Sequence, residues 1–572
     1  MSAAQKTAPA GFDEEVDLLV FGAGAGGMTA ALTGSIAGLK VLLCEKTDQV
    51  GGTTATSGGT AWMPGTHLSV KAGVPDRVSD AADFLRHVVG NRGGDHLRAA
   101  FLDAAADTIA ELEANSEVRF VAAAAHPDYL DGPGSAYGGR ALAPLEFDGR
   151  RLGADFARVR PPREIFMGLG GMMVGRVELG ALLKPFASRA NLETTLRLVG
   201  RHARDRLGHA RGTRLIMGNA LVARLFFSLR QRQVPVWFDS PLVDFIRSDA
   251  GVIGAVVKTP TGTRRVRARA GVVLATGGIG RSSALRKTLF PAEVGSVSQS
   301  PPGNTGDGIS LAVDRLGAGL DTGHDSAALW MPCSLLKTGD GPPAIWPHIL
   351  LDRAKPGLIA VGPDGRRFVN EADSYHDFCM GMIGAGLKEA WLVADARFVQ
   401  NYGLGLVLPG GRGLKRLLRA GYLVEGRSLA ELARKTGIDP QGLADSVTAA
   451  NGFARTGEDT EFGRGRSVVN RFNGDPDAGG RNPCLGPIET APFYAVKVIP
   501  VDLAGAGGLT CGINGEVLDQ NGAAIPGLYA CGNDATSIFR GTYPGPGTTI
   551  GPAMVFGWRA AHDAARRQKA AA

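Results

Sequence analysis

Between Leu18 and Gly59 the chain reads LLVFGAGAGGMTAALTGSIAGLKVLLCEKTDQVGGTTATSGG, and its chemistry lies in the glycines. An apolar run, Leu18 to Phe21, stops at Gly22-Ala23-Gly24-Ala25-Gly26-Gly27, a G-x-G-x-x-G directly ahead of a helical stretch. A strand, glycine turn and helix in this order can hold the pyrophosphate of a dinucleotide. Gly22 permits the tight turn and Gly24 lets a phosphate approach the backbone. Gly27 lets the helix pack on the strand, and the N–H groups at the helix start face the phosphates. A second strand, Lys40 to Cys44, ends at Glu45, near the offset of about 20 residues expected for a carboxylate that accepts ribose hydroxyls. The spacing is that of a βαβ unit.

The turn alone is weak evidence in a chain with 83 glycines; the strand before it, the helix after it and Glu45 supply the context. A second glycine-rich passage follows, Gly51-Gly52-Thr53-Thr54 and Ser57-Gly58-Gly59. It resembles the one that wraps the pyrophosphate and flavin in the FAD-dependent fumarate reductase and ketosteroid dehydrogenase superfamily. The resemblance implies FAD, held without a covalent link because no histidine stands where some relatives tether it. It adds Gly26, Lys46 and Val243 to the expected cofactor contacts. Ala275-Thr276-Gly277-Gly278, Asp307 in Asn304-Thr305-Gly306-Asp307-Gly308, and Gly532-Asn533 resemble superfamily motifs that close on the cofactor, as do Thr549 and Ile550.

The second concentration of chemistry is Gly541-Thr542-Tyr543-Pro544-Gly545-Pro546-Gly547-Thr548-Thr549-Ile550-Gly551-Pro552-Ala553-Met554. Pro544 and Pro546 have no N–H, so from Tyr543 to Gly547 only Tyr543, Gly545 and Gly547 can donate from the backbone. Thr548 or Thr549 can cap the helix that follows, with Pro552 in its first turn. The positive helix N-terminus would face the flavin edge where negative charge gathers. This passage closely resembles the terminal signature of the 3-ketosteroid Δ1-dehydrogenases.

Within the chain, Gly365-Arg366-Arg367-Phe368-Val369-Asn370-Glu371-Ala372-Asp373-Ser374-Tyr375-His376-Asp377-Phe378 is similar to the family passage carrying the catalytic-base tyrosine, which falls on Tyr375. The supporting tyrosine falls on Tyr129, in the loop from His126 to Gly134, with Tyr137 as the alternative. The resemblance implies a desaturation next to a ketone. The Tyr543 hydroxyl and Gly547 N–H would bind the carbonyl oxygen, and Tyr375, as phenolate, would take a proton from the neighbouring carbon. Tyr129 would support that phenolate. Hydride from the next carbon would go to the flavin, giving a 1,2 double bond in a 3-ketosteroid; an electron acceptor must reoxidise the flavin, and the sequence does not identify it. Alternatives are a desaturase of another cyclic ketone, of the 3-ketosteroid 4-dehydrogenase or oxocyclohexane carboxylate type, and a fumarate-reductase-like enzyme acting on an unsaturated carboxylate. Arg540 and His348 are the residues that would serve the last. A flavin-binding protein without turnover is the third class, and the complete tyrosine and glycine sets argue against it.

These groups must be positioned by a long chain. At 572 residues it exceeds one ordinary core. The expected fold is α/β: a Rossmann-like, glutathione-reductase-like FAD-binding domain from residues 1–325 and 501–572, with an α+β substrate and catalytic domain, 326–500, inserted and the active site at the interface. Helices are expected over Asp76–Leu112 and Asn219–Gln231, and strands over Val234–Phe238, Leu242–Arg247, Val252–Thr259, Thr263–Ala268 and Gly271–Thr276. In the inserted part, Ser428-Leu429-Ala430-Glu431 is a capping box and Asp439-Pro440 an N-cap with N1 proline. Trp330, Met331, Trp346 and Ile349 are candidate walls for an apolar ligand. The arginine-rich stretch Gly153–Gly212 has no assigned function.

Composition excludes several classes. The net charge of +7 is dispersed, and its densest cluster, Arg264, Arg265, Arg267 and Arg269, reads as a solvated strand face without interleaved aromatics, which argues against nucleic acid. Six scattered cysteines without C-x-x-C give neither a zinc site nor a disulfide framework, so no metal is expected. The first 15 residues lack the apolar core of a signal peptide, and no uninterrupted apolar stretch of about 18 residues crosses a membrane. The expected place is the cytoplasm, with a peripheral position at the membrane left open. The expected partner is a small hydrophobic, steroid-like ketone.

Overall fold

The computed structural model describes residues 11–337 and 339–571; residues 1–10, on which the reading against a leader mostly rests, lie outside the described residues. The apolar run becomes the buried strand Glu14–Phe21, and the glycine turn opens the helix Ala25–Ile36. This strand pairs in parallel with Val41–Cys44 on one side and with the second half of Gly262–Leu274 on the other. Val236–Trp237 extends the sheet beyond Val41–Cys44, and Ala524–Ala530, from the far end of the chain, pairs in parallel with Val272–Leu274. The long last helix, Ile550–Ala571, packs on the glycine helix. The first and last parts of the chain therefore build one sheet.

The strands expected at Thr263–Ala268 and Gly271–Thr276 are one, Gly262–Leu274. Its first half pairs antiparallel with Gly251–Thr259 in an exposed meander, where arginines alternate with buried Val266 and Ala268, and its second half is the buried centre of the parallel sheet. Gly271, at φ +141°, joins the halves, and its missing side chain leaves room for the Tyr529 ring. Within Gly153–Gly212 lie the helices Arg176–Leu183 and Arg189–Asp205.

A second, antiparallel sheet runs Ala344–Pro347, Ala328–Leu336, Phe493–Gly505, Ala390–Asp395, Leu358–Val361, with Leu423–Gly426 also paired to Phe493–Gly505. The strand Phe493–Gly505 passes through position 500 and leads back to the first sheet. The helices Leu429–Thr436 and Pro440–Thr456 start where the local signals lie: Ser428 and Asp439 accept from the N–H groups of Glu431 and Gly442. Glu431 reaches back to the Arg427 N–H at 2.8 Å, one residue earlier than a capping box requires.

A buried ion network fastens the Gly365–Asp373 segment to this sheet. Arg367 Nη2 lies 2.8 Å from Glu371 and 2.9 Å from Asp459, and Arg464 Nη1 lies 3.1 Å from Glu371. Burial pushes the Glu371 carboxyl up, but the two guanidinium groups outweigh it and hold the group below the usual range. Removing one charge strands the others. Glu371→Gln should cost about 3–5 kcal/mol, read as a lowered thermal midpoint, whereas Glu389→Gln, which breaks the half-exposed pair with Lys497, should cost under about 1 kcal/mol.

Candidate active site

One elongated cavity, enclosing about 1180 Å³ with the solvent at its mouth included, starts at the glycine turn. Gly22, Gly24, Gly26, Glu45 and Lys46 line it, as do Gly52, Thr53, Thr54 and Ser57. Ala275, Thr276, Gly277 and Asp307 close it from the central strand, and Gly532, Asn533, Thr549 and Ile550 from the end of the chain. The other expected contacts do not line it. Gly27 serves packing, because a Cβ there would stand 1.9 Å from the Gly22 carbonyl oxygen. Gly51 (φ +117°), Gly59 (φ +71°) and Gly278 (φ +80°) lie against Ala55, Gly218 and Asn533, and Gly58 is exposed. The Val243 side chain points outward; Ser240, Pro241 and Leu242 line the cavity instead.

The cavity suits a dinucleotide. Gly24 has no atom nearer than 3.9 Å to where its Cβ would be, so a phosphate can meet bare backbone there. Glu45 is buried and accepts from the N–H groups of Ala23 and Thr47, each at 2.9 Å. Lys46 is 2.5 Å from Asp307. Arg160, from the stretch without an assigned function, also lines the cavity. Its Nη2 donates to Thr47 Oγ1 at 3.1 Å, while its buried Nε has no partner among the described residues. A buried cationic donor without an acceptor fits an anionic ligand. No local motif marked Arg160; an isolated arginine becomes informative only once the fold places it.

The three tyrosines come together in a second place. Tyr129 and Tyr543 stack with centroids 5.7 Å apart at 16°, and Tyr375 meets them edge-on at 5.6 and 5.1 Å. All three are buried, whereas Tyr137 is 66% exposed, so the loop presents Tyr129. The strand Ala328–Leu336 sorts the expected apolar walls by alternation: Leu329, Met331 and Cys333 join the tyrosine cluster, while Trp330 faces the opposite core against Phe290. Trp346 packs on Phe166, and Ile349 is 37% exposed.

Backbone contacts set this arrangement. The Tyr129 N–H donates to the Pro544 carbonyl at 2.8 Å. Asp128 beside it accepts from Trp62 Nε1 at 2.8 Å and Arg140 Nη1 at 2.6 Å. Gly545 must be glycine, since a Cβ there would lie 2.8 Å from that indole nitrogen. Gly547, at φ +95°, accepts the Trp62 N–H through its carbonyl. The Thr548 hydroxyl donates back to the Gly545 carbonyl at 3.2 Å, which closes the turn. Tyr375 opens the helix Tyr375–Gly384, whose N-cap Ser374 accepts from the Asp377 N–H.

Burial pushes all three phenols above their ordinary range. Tyr375 is raised by burial first and then by its two phenol neighbours. For Tyr129, burial and Tyr543 raise it, while contact with Tyr375 and the buried charge of Arg353 oppose them. Arg353 donates to the carbonyls of His348, Glu371 and Asp373 and lies 4.6 Å over the Phe378 ring.

A strand–glycine–helix cavity and a phenol cluster define the class: an FAD-binding domain family model matches residues 17–550, and the protein is an FAD-dependent oxidoreductase. Over 560 residues, 96% of this chain and 94% of the relative, it is 35% identical to the 4-oxocyclohex-2-ene-1-carboxylate 5-dehydrogenase of Sinomonas cyclohexanicum. It is also 35% identical to the 3-oxosteroid 1-dehydrogenase of Mycolicibacterium smegmatis, covering 96% of this chain and 97% of that one. The 3-ketosteroid Δ1-dehydrogenase of Sterolibacterium denitrificans, solved with 1,4-androstadiene-3,17-dione, superposes with a TM-score of 0.89 at 33% identity, over 97% of this chain and all of that one. The chain belongs to the 3-ketosteroid Δ1-dehydrogenase family of flavoproteins.

Gly22 tests the cofactor cleft. At φ +100°, with a Cβ only 2.1 Å from the Ala275 carbonyl oxygen, Gly22→Ala should purify with little or no flavin absorbance, while Gly58→Ala should keep the wild-type FAD content.

Proposed function

We propose that the protein desaturates the ring of a 3-ketosteroid at its 1,2 bond, and the clustering of Tyr129, Tyr375 and Tyr543 between apolar walls is the observation that carries this reading. Bound without a covalent link along the glycine turn, Glu45, Lys46 and Arg160, FAD would supply the hydride acceptor. A ketone entering the cluster would part Tyr543 from Tyr375. The Tyr543 hydroxyl and the Gly547 N–H would hold the carbonyl oxygen and stabilise developing enolate charge, which acidifies the neighbouring C–H. Tyr375, as phenolate, would take that proton, with Tyr129 turning its O–H toward it and Arg353 lowering the cost of the charge. The identity of the electron acceptor lies outside this reading. So do the alternatives that need a carboxylate clamp, because His348 is bound to Asp352 and Ser334, and Arg540 to Asp321.

We assign the two sheets to an FAD-binding domain, 1–325 with 501–572, and an inserted catalytic domain, 326–500. No helix among the described residues is long and apolar enough to cross a membrane. The cytoplasm is the proposed location. Phe186, Leu196 and Leu207 stand exposed among exposed Arg189, Arg197, Arg204 and Arg206, which supports a peripheral place at an anionic membrane surface.

Anaerobic mixing of the holoenzyme with androst-4-ene-3,17-dione tests the reading. The flavin absorbance should bleach, and Tyr543→Phe should slow it about 10²–10³-fold; a Tyr543→Phe variant as fast as wild type removes the electrophile. The base adds a pH signature. Because the Tyr375 phenol is raised and its ionised form is the active one, bleaching should quicken with rising pH without levelling below about pH 10. In Tyr375→Phe that slope should vanish along with about 10²–10⁴ of the rate.

A further inference from the structure

We infer that His376, held as the neutral Nε2–H tautomer, is a positioning residue that fixes Tyr543 against Tyr375. The inference rests on the tyrosine roles proposed above. His376 follows Tyr375 in the first turn of the helix Tyr375–Gly384 and is buried. Its Nδ1 faces the Trp330 N–H at 3.2 Å and its Nε2 faces the Gly541 carbonyl at 2.8 Å. An amide N–H can only donate and a carbonyl can only accept, so the proton belongs on Nε2. The ring itself lies 6.2 Å from the Tyr543 ring, tilted 32°. One imidazole thus ties three segments: the helix that begins at the base, the strand whose other face walls the pocket, and the turn two residues before the electrophile.

The turn needs such a tie. Arg540 stands at φ +53° and Gly541 at φ +84°, so the backbone entering Tyr543 is in the left-handed region twice in succession. Elsewhere it is bound to other parts of the chain: Arg540 to Asp321 and to the Gly323 and Arg92 carbonyls, and Thr542 to the Phe539 carbonyl. His376 relates it to Tyr375. The distance between the proton acceptor and the carbonyl-holding hydroxyl is the one a ketone must match, and small misplacements there act on the rate more than on binding.

The two ring nitrogens can be replaced one at a time. In His376→Gln the amide nitrogen reaches the Nε2 position and keeps the donor to Gly541; in His376→Asn the amide oxygen keeps the acceptor for Trp330 and the Gly541 bond is lost. With yellow holoenzyme, flavin bleaching by androst-4-ene-3,17-dione should stay within about tenfold of wild type in the Gln variant and fall about 100-fold in the Asn variant. The dissociation constant for 1,4-androstadiene-3,17-dione, read from the perturbed flavin spectrum, should change less than about threefold in both. Equal rates in the two variants, or losses that track their thermal midpoints, overturn the inference. If His376→Asn yields no holoenzyme, His376→Gln decides alone, and a loss beyond about 100-fold overturns it. Tyr543→Phe run alongside separates the failures: if it is slow while His376→Asn is fast, the tyrosine reading stands and only the role of His376 falls.

Discussion

The active site depends on a short run of backbone that has more acceptors than donors. From Gly541 to Gly547 two prolines remove N–H groups, so carbonyls are left to be satisfied from outside the run. Each partner comes from a different place. Gly541 takes the His376 imidazole, Pro544 the Tyr129 N–H, Gly545 the Thr548 hydroxyl, and Gly547 the N–H groups of Trp62 and Gly551. Segments separated by hundreds of residues in sequence are thereby indexed to one rigid strip. Tyr129 and Trp62 are positioned from the first sheet's side and His376 from the second, which is why the phenols meet at their junction.

This indexing offsets an unfavourable environment for the chemistry. Burial raises every phenol in the cluster, and the mutual contacts favour ionisation of Tyr129 and Tyr543 over that of Tyr375. A ligand that takes over the Tyr543 hydroxyl would remove one of the contacts that raise Tyr375. Arg353 contributes a fixed positive charge whose guanidinium binds backbone carbonyls, so its field is not neutralised by a directly bonded carboxylate among the described residues.

What could be read from the sequence is what local backbone chemistry dictates. The glycine turn and the helix starts at Ser428 and Asp439 carry their reasons within a few residues, and those elements stand where expected; Glu45 and the proline-bounded strip are legible in the same local way. Long-range placement was not legible. Trp330 and Met331 are adjacent and equally apolar, and only the pairing of their strand decides that one faces the tyrosines. The same holds for Val243 and Leu242: Leu242 lines the cavity, while Val243, the expected cofactor contact, has its side chain half-exposed. Gly271 was expected to open a separate strand, yet it lies inside one. Arg160 had no motif, and His376 lay in the Tyr375 passage without an assigned role, because the atoms each meets are supplied by remote segments.

Arg540 shows how structure limits the chemistry open to the site. In sequence it was the cation most able to hold a substrate carboxylate. In the fold its left-handed backbone is an unfavourable conformation for a non-glycine residue, of the order of 1–2 kcal/mol, and its guanidinium offsets that by binding Asp321 and two carbonyls. Nearby His324 is pushed down to about 4 by burial first and by the Arg540 charge second, so it too is neutral. His348 is held by Asp352 and Ser334. Apart from the Arg353 guanidinium, which is bound to backbone carbonyls, the groups packed on the phenols are apolar side chains and a neutral imidazole. A buried site of that kind gains little from a charged ligand and must desolvate it, whereas a neutral ketone needs only the two donors on its oxygen. With Arg540 and His348 bound elsewhere, neither is free to clamp a carboxylate in the cluster.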